Sequence, residues 1–233
     1  MKKKVQQKIL ELVKKNYDSI AEDFNQTRKG LQWSKLSEVT KQVGDGDYLL
    51  DAACGNGRLL DELQDKKINY LGVDNSVELI RCAQKNYPEH EFQVNDLLSL
   101  QELADGSFDW VFCIAALHHL PGKDLRLKTL ENLKAKMKKN GKMVISVWRP
   151  EKNKKFLQAQ RRNFWRKIFF LSPLDFGDAL FEWGGKTESQ KNLLRYYHCF
   201  SEKELKKIID QAGLKIINFY QDQHNFFMIL ERK

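Results

Sequence analysis

The apolar positions of this chain change period twice. From residue 3 to 16 they recur at helical spacing, with Val5, Ile9, Leu10 and Val13 on one face of a basic segment. Tyr17, Ile20, Phe24 and Trp33 continue that spacing. A further helix is predicted from Ser34 to Val43, ending at the Gly44-Asp45-Gly46-Asp47 break. Short apolar runs then alternate with helical stretches: strand 47–52, helix 57–65, strand 69–73, helix 76–86 and strand 90–94, then strand 107–113, helix 124–138, a turn at Lys139-Asn140-Gly141 and strand 142–148. From Arg149 to about Leu194 the pattern is lost, and SPLDFGDALFEWGGK reads as a loop. The next helix is predicted over 201–212, with Ser201 as N-cap, Glu204 at the capping-box position and Gly213 as its stop. Strands 214–220 and 225–231, joined by a short polar turn, predict an antiparallel hairpin.

Strands alternating with helices of this length mean βαβ units, so the expected class is α/β, a doubly wound and mostly parallel sheet of seven strands. One domain is expected: helices over 1–46, a cofactor-binding core over 47–148, a basic and aromatic substrate insertion over 149–200, and a helix with the hairpin over 201–233.

Charge adds a partner to this picture. Of 233 residues, 40 are Lys or Arg against 31 Asp or Glu, a net charge of +9, and the pI is near 9.2. That excess suits a polyanion, nucleic acid or an anionic membrane face, or marks a chain that is merely Lys-rich. The cysteines, Cys54, Cys82, Cys113 and Cys199, form no close pairs and no metal-ligand spacing, which fits a reduced cytoplasmic protein without a bound metal. Glu11, Lys14 and Lys15 interrupt any apolar core behind the N-terminal lysines, which excludes a signal peptide. No apolar run approaches the ~20 residues of a membrane span, so no stable membrane insertion is expected.

The candidate chemistry starts at Tyr48–Leu60, YLLDAACGNGRLL, an apolar run ending on Asp51 and then a small-residue turn. Gly55 and Gly57 allow positive φ and let a ligand approach the backbone. Asp51, Asp74 and Asp96 fall at successive strand ends, where ligands of such sheets bind. Asp74 can take both hydroxyls of a ribose, and Asp96 with Leu97 suits an adenine amine against an apolar wall. An adenosine-bearing cofactor fits this set. A nicotinamide dinucleotide would want a third glycine, which is missing.

As a set, DAACGNG, Asp74, Asn95-Asp96-Leu97 and IAALHHL resemble the motifs of class I S-adenosylmethionine-dependent methyltransferases, over roughly residues 17–231. The resemblance implies their Rossmann-like fold and S-adenosylmethionine as cofactor. It places Gly55 and Gly57 against the methionine part, Asp74 at the ribose, Asp96 and Leu97 at the adenine, and Ala115 near the sulfonium. Arg28 would hold the cofactor carboxylate, or else be a surface cation beside Lys29. One departure is Ala53, which stands where the family has its first turn glycine.

Two further stretches resemble a narrower group, the tRNA wobble-uridine carboxymethyl methyltransferases of methyltransferase domain type 11. They are Asn16–Ala21 with Gln26-Thr27-Arg28 and Trp33, and Arg195-Tyr196-Tyr197-His198-Cys199-Phe200; Asp178–Trp183 is a looser echo. That group methylates a carboxymethyl carboxylate on the first anticodon base of tRNA, and some members work with a small zinc-containing activator protein. A carboxylate is already ionised at neutral pH and needs no general base. Arg195 is expected to orient it or a neighbouring phosphate. Trp33, Tyr196 and Tyr197 suit stacking on a splayed base, and His118, His119 and His198 suit donation to base or ester oxygens. His90 and His224 read as surface residues.

The stretch 152–170, with Lys155, Arg161 and Arg162 among its cations and Phe156, Phe164 and Trp165 among its aromatics, has three readings. They are RNA phosphate contacts, an amphipathic helix on an anionic membrane, and a solvated lid. For the whole chain, the rivals of a tRNA methyltransferase are a small-molecule enzyme acting on a quinone or lipid-like acceptor, and a basic RNA-binding protein without turnover.

Overall fold

The computed structural model describes residues 1–28, 34–149, 153–184 and 191–233. Helices α1 (Lys3–Ser19), α2 (Ala21–Arg28) and α3 (Ser34–Thr40) lead into β1 (Tyr48–Ala52). The core continues through β2 (Asn69–Asp74), α4 (Val77–Asn86), β3 (Glu91–Val94), β4 (Phe108–Ile114), α5 (Lys123–Lys136) and β5 (Met137–Trp148). Then come α6 (Lys154–Ile168), β6 (Asp178–Gly184), β7 (Lys191–His198), α7 (Glu202–Gln211), β8 (Leu214–Gln221) and β9 (Asn225–Arg232).

Seven strands form one sheet in the order β3-β2-β1-β4-β5-β9-β8. The pairs from β3 to β5 are parallel, and β9 runs antiparallel between β5 and β8. The central strands read as apolar runs because both faces are covered. Leu50, Val111, Ile145 and Met228 point into one core, and their neighbours Leu49, Phe112, Val144 and Phe227 into the other. Among the described residues no helix is long and apolar enough to cross a membrane.

Four expectations are corrected. The segment after Gly57 is a 3-10 turn, Arg58–Glu62, and not an α-helix over 57–65. It buries Leu59 and Leu60, Leu63 lies in the same core, and little chain is left before β2. Lys139-Asn140-Gly141 is no turn before a strand but part of β5, where the register jumps from Phe108↔Met137 to Trp110↔Lys142. The stretch read as a loop contains β6, which pairs antiparallel with β7 in a separate two-stranded sheet. Ser201 caps α7 as expected, accepting from the Glu204 N–H at 3.2 Å, but the Glu204 carboxylate turns to His198 at 2.8 Å.

Candidate active site

A cavity of about 420 Å³ opens beyond the carboxyl ends of the parallel strands, within the range that holds a small ligand or cofactor. Sheet order divides its chemistry. Strands β1, β2 and β3 deliver Asp51, Asp74 and Asp96 to one half. The ends of β4 and β5 deliver Ala115, His118, His119 and Trp148 to the other, and Arg195 and Tyr197 join them from β7. Tyr17, Leu10 and Val13 of α1 complete the wall, and Asn16 ties α1 to β7 by donating to the Leu194 carbonyl at 2.7 Å.

At the acidic half the chain turns sharply. Ala53, Gly55 and Gly57 have φ of 66°, 57° and 81°, and a Cβ on Gly57 would meet Tyr87 at 2.9 Å. The Gly55 N–H donates to Asp74 Oδ2 at 3.0 Å and the Ser76 N–H to Oδ1 at 2.9 Å. The carboxylate is thus fixed by backbone N–H groups, Asn75 adding to the hold, and it lines the cavity with acceptor capacity left. Two vicinal hydroxyls match that arrangement. Burial pushes the Asp74 carboxyl up to about 6 despite those N–H groups. It pushes Asp51 up to about 7, while the Tyr70 hydroxyl, donating at 2.8 Å, pulls the other way. Arg28 and Arg58 line the same half. Burial and the nearness of Arg28 lower Arg58 to about 10, so two guanidinium groups are poised for an anion.

Ala53 carries a conformational penalty of about 1 kcal/mol that glycine escapes. Ala53→Gly is expected to raise stability by roughly 0.5–1 kcal/mol, read from urea midpoints; a loss of stability would show that the methyl group packs.

The other half is aromatic. The His119 Nδ1 lies 3.3 Å from the Tyr196 carbonyl, which only accepts, so Nδ1 carries the proton and Nε2 accepts from the Tyr17 hydroxyl at 2.8 Å. His118 has the opposite tautomer, because its Nδ1 accepts the Trp148 N–H at 3.2 Å and its proton sits on Nε2. Burial holds His118 well below the usual histidine range and pushes His119 down to about 3. Both are neutral at physiological pH and serve as fixed donors and walls. Tyr197 stacks on His118 at 5.2 Å between centroids, lies 4.8 Å from Trp148, and its hydroxyl is 3.4 Å from Arg195 Nη1.

Strand alternation sorts the RYYH stretch. Arg195 and Tyr197 face the cavity, whereas Tyr196 and His198 face away from it. Tyr196 is buried and donates to Asp178 at 2.8 Å. Both His198 nitrogens are engaged, by Asp178 at 2.7 Å and Glu204 at 2.8 Å. Neither is positioned to touch a ligand in the cavity. Tyr196→Phe is expected to lower stability by about 1–3 kcal/mol in urea unfolding, with ligand affinity unchanged.

Gly55, Asp51, Asp74, Asp96, Leu97, Ala115, Arg28, His118, Arg195 and Tyr197 all line the cavity. Gly57 lies in the same turn, one residue beyond Asn56. Lys155, Arg161 and Arg162 are exposed on α6, and Trp33 lies outside the described residues. His224 is exposed at the cavity rim. The sequence did not single out Tyr17, Arg58 and Trp148 as residues lining this cavity. Their signal was position: Arg58 directly succeeds Gly57, Trp148 ends β5, and Tyr17 falls on the α1 face that carries Val13.

A methyltransferase domain model matches residues 50–145, which covers the turn, all three strand-end carboxylates and Ala115. Over that segment the chain is similar to a methyltransferase domain. A tRNA (carboxymethyluridine(34)-5-O)-methyltransferase of Xenopus tropicalis is 28% identical over 95% of this chain and 41% of its own length. One of Schizosaccharomyces pombe is 26% identical over 95% of this chain and 96% of its own length. The chain thus spans less than half of the first relative and nearly all of the second. Among solved structures, the 1,6-didemethyltoxoflavin-N1-methyltransferase of Burkholderia thailandensis, with bound S-adenosylhomocysteine, has a TM-score of 0.67 at 18% identity, covering 98% of this chain and 90% of that one.

The cavity's own geometry fits S-adenosylmethionine, the cofactor that the sequence resemblance implies. The open acceptor positions of Asp74 suit the ribose hydroxyls, Asp96 and Leu97 the adenine, and Arg28 with Arg58 the carboxylate. S-adenosylmethionine affinity is expected to rise with pH through about 6, where Asp74 ionises, and to be about tenfold weaker one unit below than on the plateau. The cofactor-free chain should show the opposite slope. Asp51 and Asp74 keep protons in the folded state that the unfolded chain releases near 4, so this stabilising contribution fades as pH rises from about 4 to 7. Calorimetric titrations and thermal midpoints across that range test both signs, and an affinity independent of pH would contradict the role of Asp74.

Proposed function

We propose that the chain methylates the carboxylate of a carboxymethylated wobble uridine in tRNA, giving the methyl ester. The observation that carries this reading is Arg195, which lines the cavity beside Tyr197 in the half where His118 and His119 are neutral. A guanidinium there orients an anionic acceptor, and the absence of a titrating base is no handicap because the acceptor is already ionised. S-adenosylmethionine, when bound, supplies an electrophilic methyl group. The chain's residues do the rest. Arg195 and the His118 Nε2–H hold one carboxylate oxygen so that the other keeps its lone pairs for the methyl. Tyr197 and Trp148 flank the base and exclude water. Lys155, Arg161 and Arg162 on α6 contact tRNA phosphates.

The names of the relatives support the same acceptor, as do the net charge of +9 and a cytoplasmic setting for a chain with four free cysteines. A small zinc-containing activator belongs to this proposal as a partner, tested by co-purification. The proposal itself is tested by incubating the protein and labelled S-adenosylmethionine with bulk tRNA and with a lipid and quinone extract from cells lacking the activity. Label in tRNA supports it, and label only in the extract favours a small-molecule acceptor.

A further inference from the structure

The second half of α6 extends past the surface that holds its first half. The helix buries Phe156, Ala159 and Asn163, and Asn163 fastens it to the turn before β6 by donating to the Asp175 and Asp178 carbonyls at 2.8 and 3.1 Å. Beyond Asn163 no helix residue is buried, yet Phe164, Trp165 and Ile168 are apolar, and Phe169, Phe170 and Leu171 extend the exposed patch around the turn that ends the helix. Phe176 packs on Phe164 at 5.7 Å and is exposed too. Phe170 is 96% exposed and has a φ of 58°. It occupies the left-handed position of a helix-ending turn in which the Leu171 N–H donates back to the Arg166 carbonyl at 2.7 Å. Helices ordinarily place glycine there. A strained phenylalanine in open water gains nothing within the chain.

Charge identifies what covers this tip. Between Lys152 and Leu174 the sequence has seven cations and no carboxylate; Asp175 follows, 3.9 Å from the Lys167 ammonium. We propose that the end of α6 docks on an anionic lipid surface. Phe169, Phe170, Ile168 and Leu171 enter the boundary between head groups and acyl chains, while Arg166 and Lys167 meet lipid phosphates. A second copy of the chain would press the same cations against each other. An RNA would accept the cations and stack on Trp165 or Phe170, but would leave the aliphatic Ile168 and Leu171 in water. A bilayer takes both kinds of group. Phe170 lies roughly 20 Å along the helix from Phe156, and Phe156 packs on Trp148 at the cavity wall, so docking at the tip leaves the cavity open. The inference stands whatever the methyl acceptor is.

Flotation of the full chain with vesicles tests it, using phosphatidylcholine alone and phosphatidylcholine with roughly one-third phosphatidylserine. The chain should float with the anionic vesicles and far less with the neutral ones. Phe169→Ser/Phe170→Ser should weaken that binding by roughly tenfold or more, with S-adenosylmethionine affinity unchanged by calorimetry. Phe170→Gly should weaken vesicle binding while raising thermal stability, a pair of opposite signs that a packing role would not produce. The proposal is overturned if the chain does not float with anionic vesicles, or if the double variant floats equally well. It is also overturned if the double variant loses tRNA binding instead, or if it splits a dimer seen by sedimentation.

Discussion

Arg195→Ala is expected to lower kcat for methyl transfer to tRNA by roughly 10²- to 10³-fold, with S-adenosylmethionine affinity within about twofold of the unsubstituted chain. The guanidinium lines the cavity half opposite the strand-end carboxylates and lies 3.4 Å from the Tyr197 hydroxyl. On the proposed reaction it orients the acceptor and leaves the cofactor half untouched. Burial keeps His118 and His119 neutral, so neither can replace the lost cation. Arg195→Lys should recover part of the rate, since an ammonium supplies charge but not the two-pronged donor. Single-turnover rates and calorimetry on the same preparations separate the two quantities. Equal losses in rate and cofactor affinity would place Arg195 at the cofactor instead.

Asp74→Ala is expected to weaken S-adenosylmethionine binding by roughly 10²-fold or more, because two hydrogen bonds to a charged acceptor are lost, each worth about 1.5–3 kcal/mol. The Gly55 and Ser76 N–H groups also lose the oxygens that fix the turn at 3.0 and 2.9 Å. At saturating cofactor the rate should fall much less than the affinity. The rise of affinity through about pH 6 should vanish with the carboxyl that titrates there. An unchanged affinity, or an unchanged pH profile, would remove Asp74 from the ribose site.

The parallel part of the sheet was legible because its strands are short apolar runs that end at or beside residues lining the cavity. Asp51, Asp74 and Asp96 could be placed from sequence for that reason. The segment after Gly57 was not legible: Leu59, Leu60 and Leu63 have helical spacing, but a 3-10 turn buries them equally well in the short span before β2. The β6 strand was hidden because it pairs with β7 in its own small sheet, outside the alternation that reveals the core. Period-two alternation in Arg195–His198 did carry information. It separates Arg195 and Tyr197 from Tyr196 and His198, whose partners Asp178 and Glu204 are distant or on the next helix. Composition alone left the cations and aromatics of α6 open to three uses, and the exposure beyond Asn163 is what the lipid proposal for its tip rests on.

On the proposed reaction, the acceptor atom is a carboxylate oxygen of a tRNA base. The most direct measurement is the alkali lability of the methyl group transferred to tRNA, with mass analysis of the modified nucleoside. A methyl ester on a carboxymethylated uridine is expected, released by mild base and regained on a second incubation. A base-stable methyl group on nitrogen, carbon or ribose would contradict a carboxylate acceptor.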